Sequence, residues 1–144
     1  MAGLLLDTHA LYWLVSAEAP LTDAALVDIG IAQDANLLFV SPITAWELSI
    51  AVQKPPRANR PRLADPPDKW FRQAVRATGA RIAPIRQRIA LEAANVVTAT
   101  GHKDPGDCYL IATARVNRMQ LMTRDAIIHR IAAENPGWLD VTAC

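Results

Sequence analysis

Leu4-Leu5-Leu6-Asp7-Thr8-His9 is an apolar run that stops on a carboxylate almost as soon as the chain begins. A short apolar run bounded by polar residues reads as a strand buried on both faces, the mark of a parallel sheet covered by helices. In such sheets the ligand crevice lies at the carboxyl ends of the strands, where Asp7 stands. Ala10-Leu11-Tyr12-Trp13-Leu14-Val15 continues as a helix, so Asp7 occupies a strand-to-helix turn and is equally suited to capping that helix. Whether other carboxylates gather at the same edge decides between cap and site.

With 144 residues, 51% of them hydrophobic, the chain fills one sizeable core and not two, so residues 1–144 are read as a single domain. The formal charge of +1 exerts no global pull on nucleic acid or membrane, which makes any electrostatic argument local. No stretch reaches the roughly 18 to 20 apolar residues of a membrane helix, and no basic region leads into a signal-like core. The expectation is a soluble cytoplasmic protein with no membrane contact. Cys108 and Cys144 show neither zinc nor redox spacing with the histidines. Cys108 reads as a small buried hydrophobe, and Cys144 as a free thiol with no assignable role. Trp13, Trp46, Trp70 and Trp138 fall on separate elements, which suits core packing better than a base-stacking platform.

Thr22 or Asp23 caps a second helix running to about Asp34, and Leu37-Leu38-Phe39-Val40 reads as a second buried strand. Ser41 followed by Pro42 starts a third helix. Its apolar stripe is Ile43, Trp46, Ile50 and Ala51, and Glu47 falls in the same row. Burying an unpaired carboxylate costs several kcal/mol or raises its pKa, so Glu47 needs a cation partner or an open cleft. Lys54, Arg57, Arg60 and Arg62 follow in a proline-stiffened loop, with no acid between Glu47 and Asp65. Such a loop suits contacts to the phosphates of a polyanion, or serves simply as a solvated connector.

A helix from Asp68 closes at Gly79, a short strand at Arg81–Ile85 is pushed to an edge by Pro84, and a helix from about Arg88 stops before Gly101. His102-Lys103-Asp104-Pro105-Gly106-Asp107 is the densest polar cluster. Asp104 before Pro105 is a natural N-cap, whereas Asp107 leads a core-facing row with Leu110, Ile111 and Ala114. Gln120-Leu121-Met122-Thr123 reads as the fourth strand with Asp125 just beyond it, a helix spans Ala126 to Glu134, and Trp138 to Val141 reads as the last strand. The fold class is therefore α/β, with a central parallel sheet of four to five short strands.

Asp7, Glu47, Asp104, Asp107 and Asp125 thus point to one edge. Like charges held this close repel, and a divalent cation is the usual resolution. All-oxygen ligands select Mg²⁺ or Mn²⁺, ions that mostly serve phosphate chemistry. Leu4-Leu5-Leu6-Asp7-Thr8-His9-Ala10-Leu11-Tyr12-Trp13, Ser41-Pro42-Ile43-Thr44-Ala45-Trp46-Glu47-Leu48, His102 to Asp107 before Leu110-Ile111-Ala112-Thr113-Ala114, and Leu121-Met122-Thr123-Arg124-Asp125 resemble the PIN-domain ribonucleases, and among them the VapC-type toxins of bacterial toxin–antitoxin pairs. The resemblance spans essentially the whole chain. It implies a three-layer α/β/α domain, Mg²⁺- or Mn²⁺-dependent RNA cleavage, a homodimer, and a cognate antitoxin that blocks the acidic pocket. It makes Asp7, Glu47 and Asp107 the principal metal-site acids, with Asp104 and Asp125 completing the catalytic cluster. Gly106 and Cys108 stand where related toxins often show Phe and Arg.

Two other readings stay open from the residues. A phosphatase with an aspartyl nucleophile wants a second Asp two residues after the first, and His9 occupies that position. A binding module would use the same acids as helix caps and salt bridges.

Overall fold

The computed structural model describes residues 2–55 and 60–144. Five strands, β1 (Leu4–Leu6), β2 (Leu38–Val40), β3 (Arg81–Ile82), β4 (Gln120–Met122) and β5 (Val141–Thr142), form one sheet in the order β3-β2-β1-β4-β5. All four pairings are parallel, with Leu4 opposite Leu38 on one side and Gln120 on the other. The opening triplet is central, as its apolar character requires. Leu4, Leu5 and Leu6 are all fully buried, and burying a leucine side chain stabilises by about 1.5–3 kcal/mol.

The two-residue period of a strand sends these leucines to opposite faces. Leu4 and Leu6 pack with α1 (Thr8–Ser16), α2 (Asp23–Asp34), α4 (Pro67–Thr78) and Leu48 of α3 (Pro42–Ala51). Leu5 packs on the other side with α5 (Gln87–Thr100), α6 (Pro105–Asn117) and α7 (Ala126–Glu134). The result is the expected three-layer α/β/α arrangement. Local chemistry sets the helix ends: Asp7, Thr22, Ser41, Asp104 and Asp125 each accept a main-chain N–H in the first turn of the helix that follows. Gly101 closes α5 in the left-handed region at φ 75°, with its N–H on the Val97 carbonyl.

Three expectations change. The buried residues of α3 are Thr44 and Leu48, while Trp46 and Ile50 are exposed, so the apolar stripe through Ile43, Trp46 and Ile50 is not its core face. Trp46 is accordingly not a core residue, unlike Trp70, which is buried. The last strand begins at Val141 rather than Trp138, because Leu139 and Trp138 turn into the second core before pairing starts. Cys144 is buried in the first core, and its main-chain oxygen accepts from Thr22 N–H and the Arg124 guanidinium.

Candidate active site at the carboxyl edge of the sheet

Asp7 follows β1 directly, and its backbone N–H donates to the Met122 carbonyl of β4 at 3.1 Å, so it sits where the two central strands end. Its Oδ1 accepts the Ala10 N–H at 2.7 Å, which is the capping bond. Its Oδ2 accepts the Thr123 hydroxyl at 2.6 Å, which is not. Burial pushes the Asp7 carboxyl above its ordinary range, opposed by these two bonds. The fully buried Thr123 hydroxyl also accepts the Asp125 N–H at 3.0 Å, tying the two acids at this edge to one side chain. Asp125 caps α7 with Oδ1, which accepts the N–H groups of Ile127 and Ile128.

Glu47 arrives from α3. Its Oε1 accepts the Thr8 hydroxyl at 2.7 Å, and Thr8 shares a second hydroxyl contact of 3.0 Å with Thr44. Gly106 makes room for this carboxylate: a Cβ there would lie 2.5 Å from Glu47 Cδ. The Glu47 pKa is pushed up to about 7, first by burial and then by the charges of Asp107, Asp104 and Asp7, against the Thr8 bond. This is the behaviour of a carboxylate taken out of water and then crowded by its own kind.

Asp104 caps α6 by accepting the Asp107 N–H at 2.9 Å. Asp107, one turn on, places Oδ2 2.7 Å from His102 Nε2. Burial raises the Asp107 carboxyl, His102 lowers it, and Asp104 and Asp125 raise it again. His102 is itself held: its N–H donates to the Thr100 hydroxyl, and its carbonyl accepts from the Cys108 thiol. That thiol contact gives Cys108 a place in the site's support that packing alone does not describe.

All five acids line one cleft of about 430 Å³, whose wall also carries Arg124. The Arg124 guanidinium lies 4.2 Å over the Trp13 ring and donates to the carbonyls of Pro20 and Cys144, so much of its binding capacity is already committed. His102, Thr8, Thr123 and Arg124 escape a reading of the sequence. Thr123 and Asp7 are 116 positions apart and Thr8 and Glu47 are 39 apart, separations that no local pattern encodes. His102 offered a usable signal, five residues before Asp107 and in the same polar cluster.

Among the described residues, no three His, Cys, Asp or Glu side chains already converge as a metal-binding group. The donor set nevertheless suits a hard divalent ion. Glu47 commits Oε1 and Asp107 commits Oδ2, while Oε2 and Oδ1 make no hydrogen bond among the described residues. Crowded carboxylates with raised pKa values favour whatever positive charge approaches them.

The basic loop divides. Lys54 and Arg60 line a second hollow of about 420 Å³ that shares Glu47 and Asp104 with the acidic cleft. Arg60 also closes its own loop through the carbonyls of Val52 and Lys54. Arg62 is directed elsewhere, its backbone held on the Tyr12 hydroxyl, and it lines neither hollow. Arg57 lies outside the described residues.

Residues 4–134 match the PIN domain family. No curated protein matches the chain. Among solved structures, a chain of VapBC2 from Rickettsia felis, bound to a DNA fragment from their promoter, superposes with TM-score 0.67 at 12% identity, covering 98% of each chain. A chain of the DNA-bound VapBC from Salmonella typhimurium gives TM-score 0.65 at 13% identity, covering 99% of this chain and 98% of that one. A chain of a toxin–antitoxin complex from Klebsiella pneumoniae gives 0.59 at 22%, covering 97% and 96%.

Proposed function

The chain belongs to the PIN domain family, and from that membership we propose that it is a metal-dependent endoribonuclease of the VapC type, the toxin of a toxin–antitoxin pair held inactive by a cognate antitoxin. It works as a cytoplasmic homodimer in this reading. The fold it shares with chains of toxin–antitoxin complexes supports the proposal, and no helix of the described residues is long and apolar enough to cross a membrane.

The observation that carries the chemistry is Glu47. Asp7, Asp104 and Asp125 are N-caps, so the binding-module reading accounts for one oxygen of each. Glu47 caps nothing, lies against three other carboxylates and has its pKa driven to about 7. A merely structural acid in that position has only the Thr8 hydroxyl to compensate it, whereas a metal ligand gains a cation. The phosphatase alternative lacks its second Asp, since His9 stands in that place.

Asp7, Glu47 and Asp107 hold Mg²⁺ or Mn²⁺ in this proposal, with Asp104 and Asp125 shaping the field around them. When bound, such an ion supplies the positive charge that offsets the carboxylates and lowers the pKa of a water for attack on an RNA phosphodiester. The chain's own residues do the positioning. Thr123 and the Ala10 N–H fix the Asp7 carboxylate, Thr8 fixes Glu47, and His102 fixes Asp107.

The test is cleavage of a labelled RNA mixture by purified protein with Mg²⁺ or Mn²⁺, with EDTA, and by Asp7→Asn. Asn keeps an acceptor for the Ala10 N–H but turns an amide N–H toward the Thr123 hydroxyl in place of its acceptor, so the fold should survive at a cost of about 1–3 kcal/mol. Metal-dependent products that vanish in the variant are expected. No products from folded protein freed of any co-purified inhibitor would return the acids to their roles as caps.

A further inference from the structure

We propose that His129 is a positioning residue for Asp7: by donating to the Thr123 carbonyl, it fixes where the Thr123 hydroxyl meets the Asp7 carboxylate. What this does for a bound ion rests on the metal-dependent reading of the cleft, whereas the placing of Asp7 does not.

Thr123 is the first residue beyond β4 and is fully buried. Its N–H donates to the Thr142 carbonyl at 3.0 Å, and its hydroxyl donates to Asp7 Oδ2 and accepts the Asp125 N–H. The carbonyl is the group left to satisfy. Leu121 N–H on the Asp140 carbonyl and Thr123 N–H on the Thr142 carbonyl follow the two-residue step of a parallel ladder. The next bond of that ladder would bring the Cys144 N–H to the Thr123 carbonyl. β5 stops at Thr142, and that bond does not form among the described residues. A carbonyl buried away from water is costly to leave unpaired. His129 takes the place of the missing strand, with Nε2 2.8 Å from the Thr123 carbonyl oxygen. A carbonyl only accepts, so Nε2 carries the hydrogen.

The bond acts on Asp7 through Thr123 alone. Because the Thr123 hydroxyl accepts from Asp125, its single hydrogen is directed at Asp7. Asp125 caps α7, and His129 stands one turn further along the same helix. The start of α7 therefore grips Thr123 at its hydroxyl and at its carbonyl. Releasing the carbonyl frees the peptide link to Arg124, and with it the Asp125 N–H that steers the hydroxyl. Core packing does not account for the imidazole, since Ile128 and Ile131 are the buried residues of α7 and His129 is half-buried. The two sides of the cleft are thus braced by histidines in different ways: His102 touches Asp107 directly, and His129 reaches Asp7 at one remove.

The experiment has a metal-free arm and a metal arm. Urea unfolding in EDTA compares wild type, His129→Ala, Thr123→Val and the double variant; Ala is a good helix former, so α7 persists. If His129 acts through the hydroxyl, the fall in urea midpoint caused by His129→Ala should shrink once Thr123 has no hydroxyl, because members of one hydrogen-bond network are not additive. Calorimetry then measures Mn²⁺ affinity for wild type, His129→Ala, His129→Gln and Ile131→Val. His129→Ala should bind Mn²⁺ about 3- to 10-fold more weakly, a smaller loss than for a residue that touches a ligand directly. Gln offers an amide N–H in place of Nε2 and should recover most of the affinity. Ile131→Val loosens the packing of α7 without touching Thr123 and should bind as wild type does. Additive falls in midpoint overturn the proposal. So does Mn²⁺ affinity that His129→Ala leaves unchanged, that Ile131→Val lowers equally, or that Gln fails to recover. A non-additive midpoint in a wild type that binds no Mn²⁺ removes the metal reading and keeps His129 as the residue that places Asp7.

Discussion

Replacing Glu47 with Gln should make the metal-free protein more stable at about pH 8 and leave its stability unchanged at about pH 4. The Glu47 carboxyl moves from an ordinary 4.5 to about 7 in the folded chain. Because the folded value is the higher one, the folded state favours the protonated form. The stability this contributes is full below pH 4.5 and is lost as pH rises through about 7. A rise of that size is worth roughly 3 kcal/mol at most. Glu47 is only partly buried, so solvent screening brings the expected gain to about 1–3 kcal/mol. Gln keeps an acceptor for Thr8 and removes the charge that Asp107, Asp104 and Asp7 oppose.

The assay is urea unfolding of both proteins in EDTA across that pH range. Adding Mg²⁺ should then stabilise wild type more than the variant, since an ion bound only by the folded state stabilises by mass action. A Glu47→Gln protein no more stable than wild type at about pH 8 would refute the reasoning, because the ionised carboxylate would then carry neither a burial cost nor a repulsion for a cation to relieve.

His102→Ala leaves Asp107 Oδ2 without its 2.7 Å partner; Mn²⁺ affinity measured by calorimetry should fall about 10- to 100-fold, with His102→Gln recovering part of it. Gly106→Ala puts a Cβ 2.5 Å from Glu47 Cδ. The movable part there is the carboxylate, so the melting temperature should hold or rise while cleavage falls, and full activity would show that the carboxylate's position is not critical. Thr123→Val keeps the shape and deletes the hydroxyl that donates to Asp7 and accepts from Asp125; urea unfolding should show a loss of about 1–3 kcal/mol.

How legible each feature is in the sequence follows the range of the force that makes it. Leu4 to Leu6 can be read as a central strand because burial on both faces demands apolar residues at consecutive positions. The caps Asp7, Ser41, Asp104 and Asp125 can be read because a capping bond closes within three residues. The orientation of α3 cannot, since a helical period counts Trp46 and Ile50 as core without knowing that Thr44 meets the Thr8 hydroxyl across the layer. The same blindness hides Thr123 from Asp7, two residues brought together only when β1 and β4 pair. Of the four cations in the basic loop, only geometry separates Lys54 and Arg60, which reach the hollow beside Glu47, from Arg62, which does not.

Capping and catalysis are not rival assignments for these acids. Asp7, Asp104 and Asp125 stand at the N-termini of α1, α6 and α7, where first-turn N–H groups and the positive ends of the helix dipoles favour carboxylates. Three helices thereby help hold like charges around one cleft before any ion arrives. Glu47 has no such support, because it lies beyond the first turn of α3 and rests on a single Thr8 hydroxyl. Burial raises the Glu47 carboxyl first, and the charges of Asp107, Asp104 and Asp7 raise it further against that one hydroxyl. A proton and a metal therefore compete for Glu47 near neutral pH, so in the proposed nuclease the occupancy of the site should depend on pH around 7.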